Sequence, residues 1–163
     1  PYNIATPVIS NLLSTSMTPH SMTVTIQKEL ADRITAAPSC KDYSALSIWI
    51  QCQCVARIVR IMAPSVFWPR PKVHSAIIHI AINDEKRSRI PDRKFFHTFV
   101  RSMFFHRRKF LRSVLLRAFK NKLSKPEVDA IMAEQGLGPQ TRAETLDVEA
   151  MLALCEAVRG QVE

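Results

Sequence analysis

Residues 67–75, Phe67-Trp68-Pro69-Arg70-Pro71-Lys72-Val73-His74-Ser75, constrain the fold of this chain more than any other stretch. An aromatic pair and two prolines one residue apart lie between two apolar runs, 55–62 and 75–82. Each proline fixes its own φ and pushes the preceding residue toward an extended conformation. The two runs therefore read as strands joined by a stiff, extended connector rather than by a tight turn. Such a connector holds Phe67 at a set position. The ring is either exposed, where it could stack on a flat group, or tucked into the core, and the residues alone leave both open.

The remaining pattern supplies neighbours for these strands. Thr6-Pro7 reads as an N-cap with proline at the first helical position, followed by Val8, Ile9, Leu12 and Leu13 at helical spacing. Residues 22–26 alternate with period two and predict a short strand. Leu30, Ala31 and Ile34 mark a helix that stops near Pro38, and another is expected from about Ser44 to Cys54. The run 75–82 is almost continuously apolar, as for a strand covered on both faces. This order predicts the latter half of an α/β sheet with an antiparallel hairpin at its edge.

From about Arg89 the pattern turns all-helical. Phe96, Phe99, Val100 and Met103 form one apolar face, and Leu111, Val114, Leu115 and Ala118 the next. Ser124-Lys125-Pro126-Glu127 has capping-box spacing, and its helix should end at Gly136. Asp147 is placed to cap the last helix, with Leu146 and Met151 as a hydrophobic staple. The expected division is therefore an α/β part, 1–88, and a small all-α part, 89–163.

Charge and glycine placement narrow the function. The net charge is +9, but residues 86–125 carry 14 basic side chains and one acidic, Asp92, whereas 126–163 carry 2 basic and 8 acidic. Such a block attracts a polyanion. The three glycines are Gly136, Gly138 and Gly160, so no Gly-rich turn follows a strand to cradle a nucleotide-like cofactor. With no first strand before the first helix, the chain reads as a piece of a larger protein. The histidines are scattered, so no metal site is expected. The four cysteines lack metal-ligand spacing; Cys52 and Cys54 are expected on a helix as buried free thiols, in a reduced, cytoplasmic setting. No apolar run reaches the length of a membrane span.

Several stretches together resemble the rRNA adenine dimethyltransferases that modify small-subunit ribosomal RNA. Pro1-Tyr2 is similar to the second half of the family's Asn-Leu-Pro-Tyr motif. Gln27-Lys28-Glu29 with Ala31 and Arg33, then Lys41-Asp42-Tyr43 with Ala45-Leu46-Ser47, resemble the middle of its catalytic domain. Phe67-x-Pro69-x-Pro71-Lys72-Val73-x-Ser75 resembles its late signature, Phe96 through Arg112 its helical domain, and Arg142-x-Glu144-x-Leu146 its closing segment. His74, Ser44 and Phe110 depart from the usual residues. The fold implied is the latter half of a Rossmann-like methyltransferase sheet followed by a helical domain.

The resemblance implies methyl transfer from S-adenosylmethionine to the exocyclic amine of adenines in small-subunit rRNA, or in the pre-ribosomal small subunit, by a protein that is a monomer. Pro1, Tyr2 and Phe67 are the implied catalytic residues, Pro1 through its carbonyl and the two rings as a clamp on an extruded base. Pro69, Pro71, Lys72 and Ser75 are the implied substrate-binding residues. Arg101, Arg107, Arg108, Lys109, Arg112, Lys120 and Lys122 are assigned to RNA, with Arg101, Arg108 and Arg112 on one face if a single helix ran through them. Arg142 and Glu144 are expected to form a structural pair. The family's cofactor-binding residues would precede Pro1, so the chain alone is expected not to methylate. Two other classes stay open: a non-catalytic RNA- or DNA-binding relative acting in ribosome assembly or transcription, and a structural protein whose basic helices hold a protein partner.

Overall fold

The computed structural model describes residues 2–15 and 17–162. Its packing divides the chain into two units, one of residues up to Ala36 with Ile50–Arg89, the other of Ala37–Trp49 with the chain from Ile90. The first holds α1 (Ala5–Ser14), β1 (Ser21–Gln27), α2 (Lys28–Thr35), β2 (Cys54–Met62), β3 (Ser75–Ile82) and α4 (Asp84–Ser88). The second holds α5 (Arg93–Phe105), α6 (Leu111–Ala118), α7 (Lys125–Glu134) and α8 (Val148–Val162), and α3 (Ala45–Gln51) joins the two.

In the first unit the strands form one antiparallel sheet, ordered β1-β3-β2. The apolar run 75–82 takes the centre, because a central strand needs no solvent-compatible edge. Val24 faces Ile78 on one side, and Ile58 faces Ile78 on the other. A register shift between Ile58 and Arg60 carries β2 on to pair Met62 with Ser75. Coverage of β3 on both faces is not what the structure gives: Ala76, Ile78 and Ile80 are sealed, while Ile77, His79 and Ala81 keep partial exposure. Within this unit α2 runs against the three strands and buries Leu30, Ala31 and Ile34. Across the more open face, Thr23 Oγ1 and His79 Nδ1 lie 2.8 Å apart.

Two local expectations shift. Helix α1 begins at Ala5 behind a 3₁₀ turn at Tyr2–Ile4, so Thr6 lies inside the helix rather than capping it. Pro7 is tolerated in that first turn because the missing N–H would have had no intrahelical acceptor. The third helix is shorter than expected, ending at Gln51, so Cys52 and Cys54 sit on the turn and the first strand residue rather than on a helix. Gln51 Nε2 donates to the carbonyls of Ile34 and Ala36, both at 2.9 Å, which ties that turn to the end of α2.

The second unit packs α5 against α6 and α8, and α7 against α6 and α8. Phe96, Phe99, Val100 and Met103 of α5 and Leu111, Val114 and Leu115 of α6 are buried. Ser124 N–H and Oγ both donate to Glu127 Oε2, at 2.7 and 2.6 Å. At the far end of α7, Gly136 has φ +65, and Leu137 N–H reaches back to Met132 O at 2.8 Å. That closure needs a left-handed residue, which glycine adopts without a Cβ clash. Asp147 Oδ1 accepts from Ala150 N–H at 2.8 Å, with Leu146 and Met151 buried beside it. The segment 37–49, assigned to the α/β part by a division at Ser88, packs here instead. Tyr43 is fully buried, and its hydroxyl donates to Leu146 O at 2.9 Å.

Cys52, Cys54 and Cys155 are buried and Cys40 is half-buried, all as free thiols. Burial pushes the Cys54 thiol up to about 12 and raises those of Cys52 and Cys155 as well. Because the thiolate is the nucleophile, Cys40 is expected to react first. Mass spectrometry after maleimide treatment at pH 8 should find label on Cys40 in the folded chain and on the other three only after denaturation. Label on Cys52, Cys54 or Cys155 in the native chain would contradict this.

Candidate functional site

Tyr2 and Ser75 are distant in sequence and adjacent in space. The Tyr2 hydroxyl lies 2.5 Å from Ser75 Oγ. Ser75 is buried and opens β3, where it faces Gln27 on β1 and Met62 on β2. Lys28 N–H, at the start of α2, donates to His74 O at 2.9 Å. Tyr2, the end of β1, the end of β2 and the start of β3 therefore meet at one rim of the sheet, where the 63–74 connector leaves and returns.

The connector opens with a 3₁₀ turn at Pro64–Val66 and then runs extended at Phe67, with φ −115 and ψ 149. Phe67 is half-exposed, neither free nor sealed. Neither Tyr2 nor Phe67 is in contact with another aromatic ring among the described residues, and both are half-exposed. Pro69 and Lys72 are exposed and Pro71 is half-exposed. The most exposed aromatic of the region is Trp68, 96% exposed. Sequence reasoning noted it only as half of an aromatic pair. Pro1 lies outside the described residues.

The basic residues sort into two groups. Arg107 reaches inward: its Nε donates to Glu144 Oε2, its Nη1 to Lys41 O at 2.5 Å and its Nη2 to Cys40 O at 2.7 Å. Arg112 makes a two-pronged pair with Asp129, at 2.5 and 2.8 Å. That hydrogen bonding raises the arginine's pKa and lowers the aspartate's. Lys122 Nζ donates to Val162 O at 3.1 Å. Arg101, Arg108, Lys109 and Lys120 are exposed and have no ion-pair partner among the described residues. His97, on α5 beside Arg101, is held below its ordinary pKa by burial and by that guanidinium, so it adds no charge at neutral pH.

Arg101, Arg108 and Arg112 do not share a helix. The helix is interrupted between Phe105 and Leu111, with His106 outside helical geometry at φ −121 and ψ 58. Glu144 also deals its charge differently from expectation. Its main partner is Arg107, while Arg142 Nη1 stands 4.0 Å from its other oxygen.

The family described as "Ribosomal RNA adenine dimethylase" matches residues 1–159. The chain belongs to this family. It is 42% identical over 159 residues to a protein of Clostridium perfringens named "Ribosomal RNA small subunit methyltransferase A", covering 97% of this chain and 54% of that one. A protein of the same name from Halothermothrix orenii is 42% identical over 154 residues, covering 94% and 51%. The chain thus spans about half the length of the curated relatives it matches.

Among solved structures, a dimethyladenosine transferase from Plasmodium falciparum superposes with a TM-score of 0.87 over 99% of this chain and 65% of that one, at 22% identity. The 23S rRNA methyltransferase ErmE gives 0.66 over 98% and 62%, also at 22%. At that identity the likeness is one of fold: the α/β-then-helical arrangement is that of these methyltransferases. Among the described residues, no group of His, Cys, Asp or Glu is placed to hold a metal ion. No helix there is long and apolar enough to cross a membrane.

Proposed function

We propose that this chain provides the acceptor side of an enzyme that dimethylates the exocyclic amine of adenines in small-subunit rRNA, with S-adenosylmethionine as methyl donor. The observation that carries the reading is the Tyr2–Ser75 hydrogen bond. It holds an N-terminal aromatic at the sheet rim from which the Phe67 connector springs. Tyr2 and Phe67 flank the target base, extruded from its stack. Pro69, Pro71 and Lys72 set the angle and edge of that slot, and Ser75 anchors Tyr2. The amine is a weak nucleophile because its lone pair is delocalised into the ring, so acceptors that draw on its protons, the Pro1 carbonyl among them, activate it.

The methyl donor supplies an electrophilic methyl group. The sheet unit carries no glycine, so none of its strand-to-helix turns lets backbone close on such a molecule. These residues alone do not fit it, and the donor is held by residues outside this chain. The sheet unit serves the base and the helical unit the RNA backbone. Arg101, Arg108, Lys109 and Lys120 contact phosphates, which position the RNA without reading its sequence. Arg107, Arg112 and Lys122 contribute mainly to the helical unit's own structure. The complete protein acts in the cytoplasm as a monomer.

The test supplies the complete protein with labelled donor and unmethylated small-subunit rRNA, in free and particle-bound form. Dimethyladenosine is the expected product. Tight RNA binding with no methyl transfer would instead favour a non-catalytic relative acting in ribosome assembly or transcription. A second measurement concerns the cations alone. Replacing Arg108, Lys109 and Lys120 by serine should weaken RNA binding and reduce the slope of log K against log salt by about 2–3, since each phosphate contact contributes roughly 0.7–0.9. An unaltered slope would move the phosphate contacts elsewhere.

A further inference from the structure

A groove of about 420 Å³ lies between α5 and α6, lined by Thr98, Arg101, Phe105, His106, Arg117 and Ala118 among others. Its size falls in the range of pockets that take small molecules. Phe105, the last residue of α5, stands off that helix's buried face and is 79% exposed. Its ring is braced edge-on by His106, with centroids 4.9 Å apart and planes at 83°. Val114 and Ala118 provide apolar surface from α6. Arg101 and Arg117 are exposed, with no ion-pair partner among the described residues.

No carboxylate lines the groove. A flat ring and two guanidiniums in one groove match a molecule with an aromatic face and an anionic group.

We propose that this groove is a second nucleotide site, taking one unpaired nucleotide of the RNA with its base against Phe105 and its phosphate between Arg101 and Arg117. This rests on the RNA-binding reading above and says where the helical unit grips a single strand. The base must be unpaired, because a base within an A-form helix cannot offer its face to a side chain. The site is distinct from the Tyr2–Phe67 slot, lies wholly within residues 98–118, and includes Arg117, which sequence reasoning did not single out.

The experiment measures anisotropy of a labelled single-stranded hexaribonucleotide and of a matched RNA duplex with the 163-residue chain, across a salt series. Phe105→Leu keeps the charge and alters a largely exposed side chain. Its single-strand affinity should fall roughly 5–150-fold, the range that stacking of one base is worth, with duplex affinity and salt slope unchanged. Arg117→Ser should reduce the single-strand slope by about 0.7.

If the chain binds the hexanucleotide and both variants match the parent, the groove is not the site, while the RNA reading stands. If the chain binds neither RNA, that reading falls and this one with it. Displacement of the probe by poly-glutamate as readily as by unlabelled RNA would make the groove a protein-docking surface and overturn the proposal.

Discussion

Replacing Phe67 by alanine in the complete enzyme should slow single-turnover methylation roughly 10–100-fold while leaving methyl-donor affinity within about twofold. Stacking one base on an aromatic is worth about 1–3 kcal/mol, the scale of the cost of pulling a base from its stack. Phe67 sits on the extended part of a proline-braced connector and is only half-buried, so its removal takes away a surface rather than a core. Tyr2→Ala should behave alike. Tyr2→Phe keeps the ring and loses only the hydroxyl contact to Ser75, so its rate should fall far less. Parental single-turnover rates in both alanine variants would remove the clamp. If Trp68→Ala carried the loss instead, the stacking ring would be the exposed neighbour.

Arg107→Ala should destabilise the helical unit by about 2–4 kcal/mol, read as a fall in melting temperature of about 5–15 °C. The guanidinium donates to the Glu144 carboxylate and to two backbone carbonyls, those of Cys40 and Lys41. Both side chains of the ion pair are largely shielded, 33% and 22% exposed. Truncation takes the closest donor from a shielded carboxylate and the side-chain donor from the Lys41 carbonyl, while the Cys40 carbonyl keeps the Tyr43 N–H at 3.2 Å, and the unmet groups cost more than the net value of the bonds. Arg107→Lys should recover little, since an ammonium cannot match a planar fork aimed at three acceptors. A variant that melts with the parent but loses RNA affinity would return Arg107 to the RNA-facing group.

Local chemistry was legible in most places where neighbours in sequence are also neighbours in space. The Ser124–Glu127 box, the left-handed Gly136, the Asp147 cap and the apolar faces of α5 and α6 all follow from spacings of a few residues. So did the β2–β3 hairpin across its prolines, and the short run of motifs that placed the chain in its family.

Two kinds of feature were misplaced: some helix ends, where neighbouring residues allow more than one boundary, and side chains whose partners lie far apart in the chain. Arg107 and Arg108 are adjacent and look alike as residues, yet one reaches back to residues 40 and 41 and forward to 144 while the other stays at the surface. Arg101 and Arg112 would have shared a face on an unbroken helix, and the turn at His106 separates them. Sequence by itself determined most element types, several of their caps and the sign of the charge, because propensity, capping and net charge are local or additive. Only the tertiary structure decided which cations are spent inside, that Tyr2 meets Ser75, and that Phe105 and Arg117 share a groove, because those depend on contacts between segments that chain order does not bring together.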